Sequence, residues 1–586
     1  MPSAGGKPLS RPHHHSSHVL LKVSLWNASV YTCSPWILAH TAASSMWLRR
    51  GLKRTADDAS PEPPPKRVLL RRHTPVVEPS IAFSMTGGDF QRGGSALQKF
   101  AGNAVAKAIK AVGRPHGGRA IKVASFCTGS AADAIALDSL QHALKAEDMD
   151  ITFEHSFYCE KHDRKRDVWC KKVHKILSGT EIANLLPCAF TDCEVLGTSK
   201  ATCTMHKKQS PVCNCTIPDW LSMLIAGFSC KDLSRANQNK GALQGADLWN
   251  ALQTPGGSAQ TMHAVVNLVK ATQIDALVLE NSDELAGTIH SAALDEFLNA
   301  LDEQGFDCHA YVMNSSDYAL PQERKRCYII GVRRPNKTFA LREGNVAFFE
   351  KVKSLLKQFA TPGPCVVNCL LPNDDPNVLN LLEHREFNAS HKGCKRWDSK
   401  TIATHHDRWM KVGGQRLGGM GVSSADMSSA WYKTLPAREK DLLAFHQFKT
   451  QGEDKLSKAR RQATDLHQSV DQFTWAALTE DEHVHLPTIL PASKMWVSHR
   501  LITGAESLSF QGWPIFDERF KDLLENESNA AQQDLAGNAF PTTCILACVL
   551  AILFAADIKQ DDEEDERTSS SATAIQQAML LLKQAS

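Results

Sequence analysis

A series of short apolar runs, each stopping abruptly at polar residues, organises the middle of the chain. Leu221-Ser-Met-Leu-Ile-Ala-Gly227-Phe228 is of strand length and turns polar at Ser229-Cys230-Lys231-Asp232. Runs of the same kind cover Ile121–Phe126, Ile151–Glu160, Ala189–Asp192, Gln273–Asn281, Gly305–Asn314 and Cys327–Val332. Helical spacing lies between several of them, after Ala132 and over Leu294–Leu301. Strands buried on both faces read as nearly continuous apolar runs, and alternation with helices predicts a mostly parallel sheet, an α/β architecture. In such sheets ligands gather beyond the carboxyl ends of the strands. The polar groups at those ends are therefore the candidates for chemistry: Cys127 and Gly129, Glu160, Asp192, Cys230, and Glu280 with Asn281.

The flanks read differently. Residues 1–95 carry scattered Ser and Pro, with basic clusters at Arg49-Arg50, Lys53-Arg54, Lys66-Arg67 and Arg71-Arg72 around a Pro-rich spacer. They predict a disordered basic region resembling a bipartite nuclear import signal, with an organelle transit peptide as the competing reading because residues 18–50 contain no acid. Residues 96–334, with their alternating strand and helix patterns, predict the first part of the main α/β domain. Residues 335–497 predict a smaller loop-rich domain, in which Lys395-Arg396-Trp397, His405-His406 and Arg408-Trp409 interleave basic and aromatic side chains. That mixture suits phosphate contact and base stacking, and equally a basic surface over a Trp core. Residues 498–558 return to core-like sequence, and 559–586 form an acidic, Ser-rich tail ending in an amphipathic segment, a candidate contact for regulatory protein partners.

Composition narrows the class. The 586 residues have 66 basic and 63 acidic side chains and 42% hydrophobic content, as in an ordinary protein with a sizeable core. The longest apolar run, Thr543–Ala556, is too short to span a bilayer and predicts a buried helix, so no membrane partner is expected. The 17 cysteines follow no repeating framework and predict free thiols in a reducing compartment. Cys188, Cys193, Cys203, His206, Cys213 and Cys215 have a composition that suits zinc. Their spacing matches no compact finger, so the expectation is free thiols on an insertion loop and no metal.

Taken in order, these features resemble the cytosine-5 DNA methyltransferases. The resemblance rests on Phe126-Cys127-Thr128-Gly129, Glu160, Gly227-Phe228-Ser229-Cys230, Glu280-Asn281, Gln322-Glu323-Arg324-Lys325-Arg326, Arg500 through Gln511-Gly512-Trp513-Pro514, and Gly537-Asn538-Ala539-Phe540. It runs across residues 120–557 and implies a Rossmann-like S-adenosylmethionine-dependent methyltransferase fold with a target-recognition domain. It further implies S-adenosylmethionine as cofactor, DNA as partner, a nuclear location and a flipped cytosine as substrate. By this resemblance Cys230 adds to C6 of cytosine, Glu280 meets N3, Arg326 faces O2, and Arg324 and Asn281 hold the pocket and its loop. Phe126, Cys127 and Gly129 shape the cofactor loop, Glu160 accepts the ribose hydroxyls, Asp192 contacts the adenine amino group and Asn538 closes the cofactor wall. Two positions depart from the family pattern. Ser229 and Lys231 flank Cys230 where Pro and Gln are usual, and the cofactor loop has fewer glycines. A transfer-RNA cytosine-5 methyltransferase and a catalytically silent DNA-binding homologue are the alternatives.

Overall fold

The structure is a computed structural model. It describes residues 96–115, 118–127, 129–179, 186–191, 203–206, 217–228, 260–288, 290–341, 344–392, 399–411, 423–449, 463–470, 477–478 and 483–559. All of these fall in one unit, Arg71–Ser586. The basic N-terminal region and the acidic tail lie outside the described residues.

Seven strands form the central sheet: β1 (Arg119–Phe126), β2 (Ile151–Cys159), β3 (Cys188–Phe190), β4 (Trp220–Gly227), β5 (Gln273–Ser282), β6 (Phe306–Asn314) and β7 (Lys325–Arg333). Their order is β3-β2-β1-β4-β5-β7-β6. The five from β3 to β5 are parallel, and β7 runs antiparallel to both of its neighbours. In β4 and β5 nearly every residue is buried, because helices cover both faces. One helical group comprises α1 (Ala96–Val112), α2 (Ala132–Ala146), α3 (Gly344–Phe359) and α4 (Thr542–Ala555), which pack on one another. The apolar run at the end of the chain is thus a core helix: every residue of α4 is buried, and it lies on α1 and α2.

Strand order reverses between β1 and β4, and the register brings their ends level. Phe126 pairs with Cys159 on one side and with Ala226 on the other, and Gly227 pairs with Glu280. The loops after β1, β2, β4 and β5 therefore leave the sheet side by side, at the switch point where an open α/β sheet forms its crevice.

Two expectations for residues 335–497 change. Helix α3 belongs to the first core, through Phe348, Phe349, Val352, Leu355 and Phe359, so the second core starts only at Leu371. That second core is largely helical among the described residues, with helices over Pro376–Lys392, Ser399–Lys411 and Ala437–Lys449. Trp409, Trp431 and Trp496 are its buried centre. Two of the indoles anchor to carboxylates, Trp496 to Asp426 at 2.8 Å and Trp409 to Asp441 at 3.4 Å. These tryptophans are core and not stacking platforms; Trp397 lies outside the described residues.

Candidate active site

The loop after β1 is built from strained backbone. Cys127, Gly129 and Ala131 all have positive φ, at 55°, 55° and 58°. Left-handed backbone of this kind is common in the amide-lined concavities that hold anionic or polar groups. Non-glycine residues resist this conformation, at a cost of order 1–3 kcal/mol each, and such strain gathers at binding sites. Cys127 and Ala131 thus adopt the geometry that extra glycines would supply. Gly129 has a second reason to be glycine: a Cβ there would stand 3.1 Å from the carbonyl oxygen of Asn538. The closing segment meets the loop through that backbone, while the Asn538 side chain donates to the Asp534 carbonyl at 2.7 Å.

Glu160, one residue past β2, faces this loop. Its carboxylate accepts from the amide of Gly129 and from that of His162, each at 2.9 Å. Phe126 is wholly buried and supports the loop from beneath. Trp169 donates to the Ser130 carbonyl at 2.8 Å, fixing its far side. Asp133 is a residue the sequence reading did not single out. It is buried in the first turn of α2, accepts from the Ser125 hydroxyl, and burial pushes its carboxyl up to about 6. One Asp133 oxygen and the Ser130 hydroxyl are buried without a hydrogen-bond partner among the described residues. Its signal was available: an acid inside the small-residue run Ser130-Ala-Ala-Asp133-Ala-Ile.

The second half of the site is at the ends of β4 and β5. Phe228 is buried against Phe297, ring centroids 5.6 Å apart, and the Asn281 side chain donates to the Phe228 carbonyl at 2.9 Å. Gly227 leaves room for Phe540, whose ring carbon stands 2.1 Å from where a Cβ would be. Glu280, nearly buried, pairs with Arg326, Nε to Oε1 3.1 Å. The antiparallel β7 makes this pairing, since Arg326 lies opposite Ser282 and Tyr328 opposite Glu280. Arg324 turns elsewhere. Its guanidinium donates to the carbonyls of Ile489 (3.0 Å), Gly537 (3.3 Å) and Ala539 (3.1 Å), tying the closing segment to the catalytic core. Gln322 does the same at Phe510, 2.8 Å. Arg324 is thus a positioning residue.

The fold brings together Cys127, Gly129, Glu160 and Asn538 on one side of the crevice, and Glu280, Asn281 and Arg326 on the other. Cys230, with Ser229 and Lys231, lies outside the described residues, as do Thr128 and Asp192. Cys188, Cys203 and His206, three of the six residues whose composition suited zinc but whose spacing matched no finger, are clustered at the sheet edge.

The family model for C-5 cytosine-specific DNA methylase matches residues 200–553. A DNA (cytosine-5-)-methyltransferase of Cryptococcus neoformans var. grubii, DMT5, is 25% identical over 461 residues, covering 75% of this chain and 17% of that protein. Its counterpart in Verticillium dahliae is 23% identical over 491 residues, with 75% and 20% covered. The type II methyltransferase M.HhaI of Haemophilus parahaemolyticus is 28% identical over 118 residues, 20% of this chain and 32% of that one. The chain therefore spans about a fifth of the length of the two fungal relatives.

Proposed function

Since the chain belongs to the C-5 cytosine-specific DNA methylase family, we propose that it transfers a methyl group from S-adenosylmethionine to C5 of a cytosine flipped out of duplex DNA. The observation that carries this reading is the register of the strand tips. It sets the Glu280–Arg326 pair beside Gly227-Phe228, the two residues that lead into Ser229-Cys230.

C5 of cytosine is held inert by ring aromaticity. Addition of the Cys230 thiolate at C6 breaks the aromaticity and moves electron density to C5, N3 and O2. Arg326 is a fixed cation and donor for O2, and the Glu280 carboxyl group, having taken a proton from solvent, shares it with N3. Asn281 holds the Phe228 carbonyl, and so the entry to the cysteine loop, against the end of β5. Lys231, next to the cysteine, favours its thiolate electrostatically. Once C5 carries the methyl group, loss of its proton to solvent water and expulsion of the Cys230 sulfur as thiolate restore the ring.

When bound, S-adenosylmethionine supplies an electrophilic methyl carbon. The residues present suit it. Glu160 offers the remaining lone pairs of its carboxylate to ribose hydroxyls, beside the loop that it braces through the Gly129 amide. Asp192 is proposed for the adenine amino group. The basic clusters between Arg49 and Arg72 support a nuclear location.

Trapping on oligonucleotides containing 5-fluorocytosine tests the reading, because fluorine at C5 blocks release of the covalent adduct. A denaturation-resistant adduct with duplex DNA, absent in Cys230→Ala, is the expected result. An adduct with transfer RNA alone would move the substrate to RNA, and DNA binding without any adduct would leave a silent homologue.

A further inference from the structure

We propose that Cys188, Cys203 and His206 bind a structural zinc ion that fastens the excursion after β3 to the edge of the sheet. Cys188 opens β3, and Cys203 is brought back beside it by an antiparallel bridge to Phe190. The Thr204 amide reinforces that bridge by donating to the Ala189 carbonyl at 2.8 Å. His206 then reaches both sulfurs through one atom: its Nδ1 is 3.6 Å from Cys188 Sγ and 3.5 Å from Cys203 Sγ. All three ligand atoms lie within 4.8 Å of one another, on residues that are buried or nearly so.

Those separations are the ones a tetrahedral ion imposes. Zinc–sulfur bonds of about 2.3 Å and a zinc–nitrogen bond of about 2.0–2.1 Å, at the tetrahedral angle, put sulfur and nitrogen about 3.5 Å apart. A neutral Nδ1 has either one proton or one lone pair and so makes only one of these two contacts as a hydrogen bond, whereas a single ion would meet both sulfurs and the nitrogen together. Both cysteines are free of disulfides. Two thiolates and an imidazole are borderline-soft donors that favour zinc, whereas an iron–sulfur cluster typically calls for four thiolates.

The position gives such an ion a purpose. Thr204, between the two loop ligands, donates from Oγ1 to Asp167 at 2.9 Å and accepts from Arg166 Nε at 3.2 Å. Arg166 in turn donates to the Glu160 carbonyl at 3.0 Å. An ion here would therefore hold, through three linked residues, the backbone that carries Glu160.

The test uses the full chain, purified without added metal and passed through chelating resin. Elemental analysis is expected to find stoichiometric zinc, with at least a tenfold loss in Cys203→Ser and His206→Ala. Because those variants could fail to fold, the unaltered protein is also examined at the zinc X-ray absorption edge and after exchange with cobalt(II). Two or more sulfur ligands and a thiolate-to-cobalt charge-transfer band are expected. Metal-free protein, zinc with fewer than two sulfurs, or zinc retained in folded variants would overturn the proposal. None of these readouts depends on methyl transfer.

Discussion

Glu280 and Asp133 are both buried carboxyl groups in the crevice, and their partners differ. Glu280 has a cation at 3.1 Å; Asp133 has a hydroxyl and no cation among its contacts. Glu280→Gln keeps the shape and removes the proton donor. It should lower the single-turnover rate of methyl transfer by about 10²–10⁴-fold while S-adenosylmethionine affinity stays within a few-fold; an equal loss in both would give Glu280 a merely structural part. Asp133 makes a prediction in pH. Its folded value of about 6 lies above the ordinary 3.8 of a free aspartate, so between the two the folded chain keeps a proton that the unfolded chain has released. Stability from this group therefore falls as pH rises through that window and stays low above it. Asp133→Asn has no charge to bury. It should be more stable than the parent at pH 8 by up to about 3 kcal/mol, at about 1.4 kcal/mol per pKa unit, and no more stable at pH 4. Thermal midpoints across the range decide it, and a gain independent of pH would refute the assignment.

At the scale of elements, the carboxyl ends of β1, β2, β4 and β5 form the site because their register is level. Each strand and the polar residue closing it was legible as an apolar run ending in chemistry. The pairing that brings Arg326 onto Glu280 was not, since it depends on β7 entering the sheet antiparallel between β5 and β6. Nor was the cluster at β3, whose ligand spacing follows from the Phe190–Cys203 bridge and from no local motif. The aromatic residues of 335–497 were read evenly between surface and core, and the structure puts three tryptophans in a core that composition alone could not distinguish. The tip of β4 supplies a test. In Gly227→Ala the new methyl group would meet the Phe540 ring, and overpacking of this kind costs about 1–3 kcal/mol. Urea unfolding should show that loss, accompanied by weaker S-adenosylmethionine binding because Phe540 follows Asn538. Full stability with the ring undisplaced would contradict the packing.

Over the whole molecule, a buried ion pair links the two cores. Arg500 meets Glu506 through two contacts, 2.6 and 3.0 Å, and also donates to the Leu371 carbonyl at 2.9 Å. Glu506 accepts the Leu371 amide at 2.7 Å and caps the helix that begins after Thr503. Arg500→Ala strands a buried carboxylate and should cost about 3–5 kcal/mol in urea unfolding. Adding Glu506→Gln to Arg500→Met should recover part of that loss; if the double variant is the worse of the two, the charge is not what the pair compensates. The remaining long-range feature concerns α4 and its seat on α1 and α2. α4 begins roughly 430 residues after α1 ends, which at about 5–20 residues per second is on the order of 20–90 s on the ribosome. Through that interval the part of the apolar stripe of α1 that α4 will cover stays open. A nascent chain interrupted anywhere before residue 555 would thus emerge sticky, and its safe passage depends on chaperones that shield such surfaces.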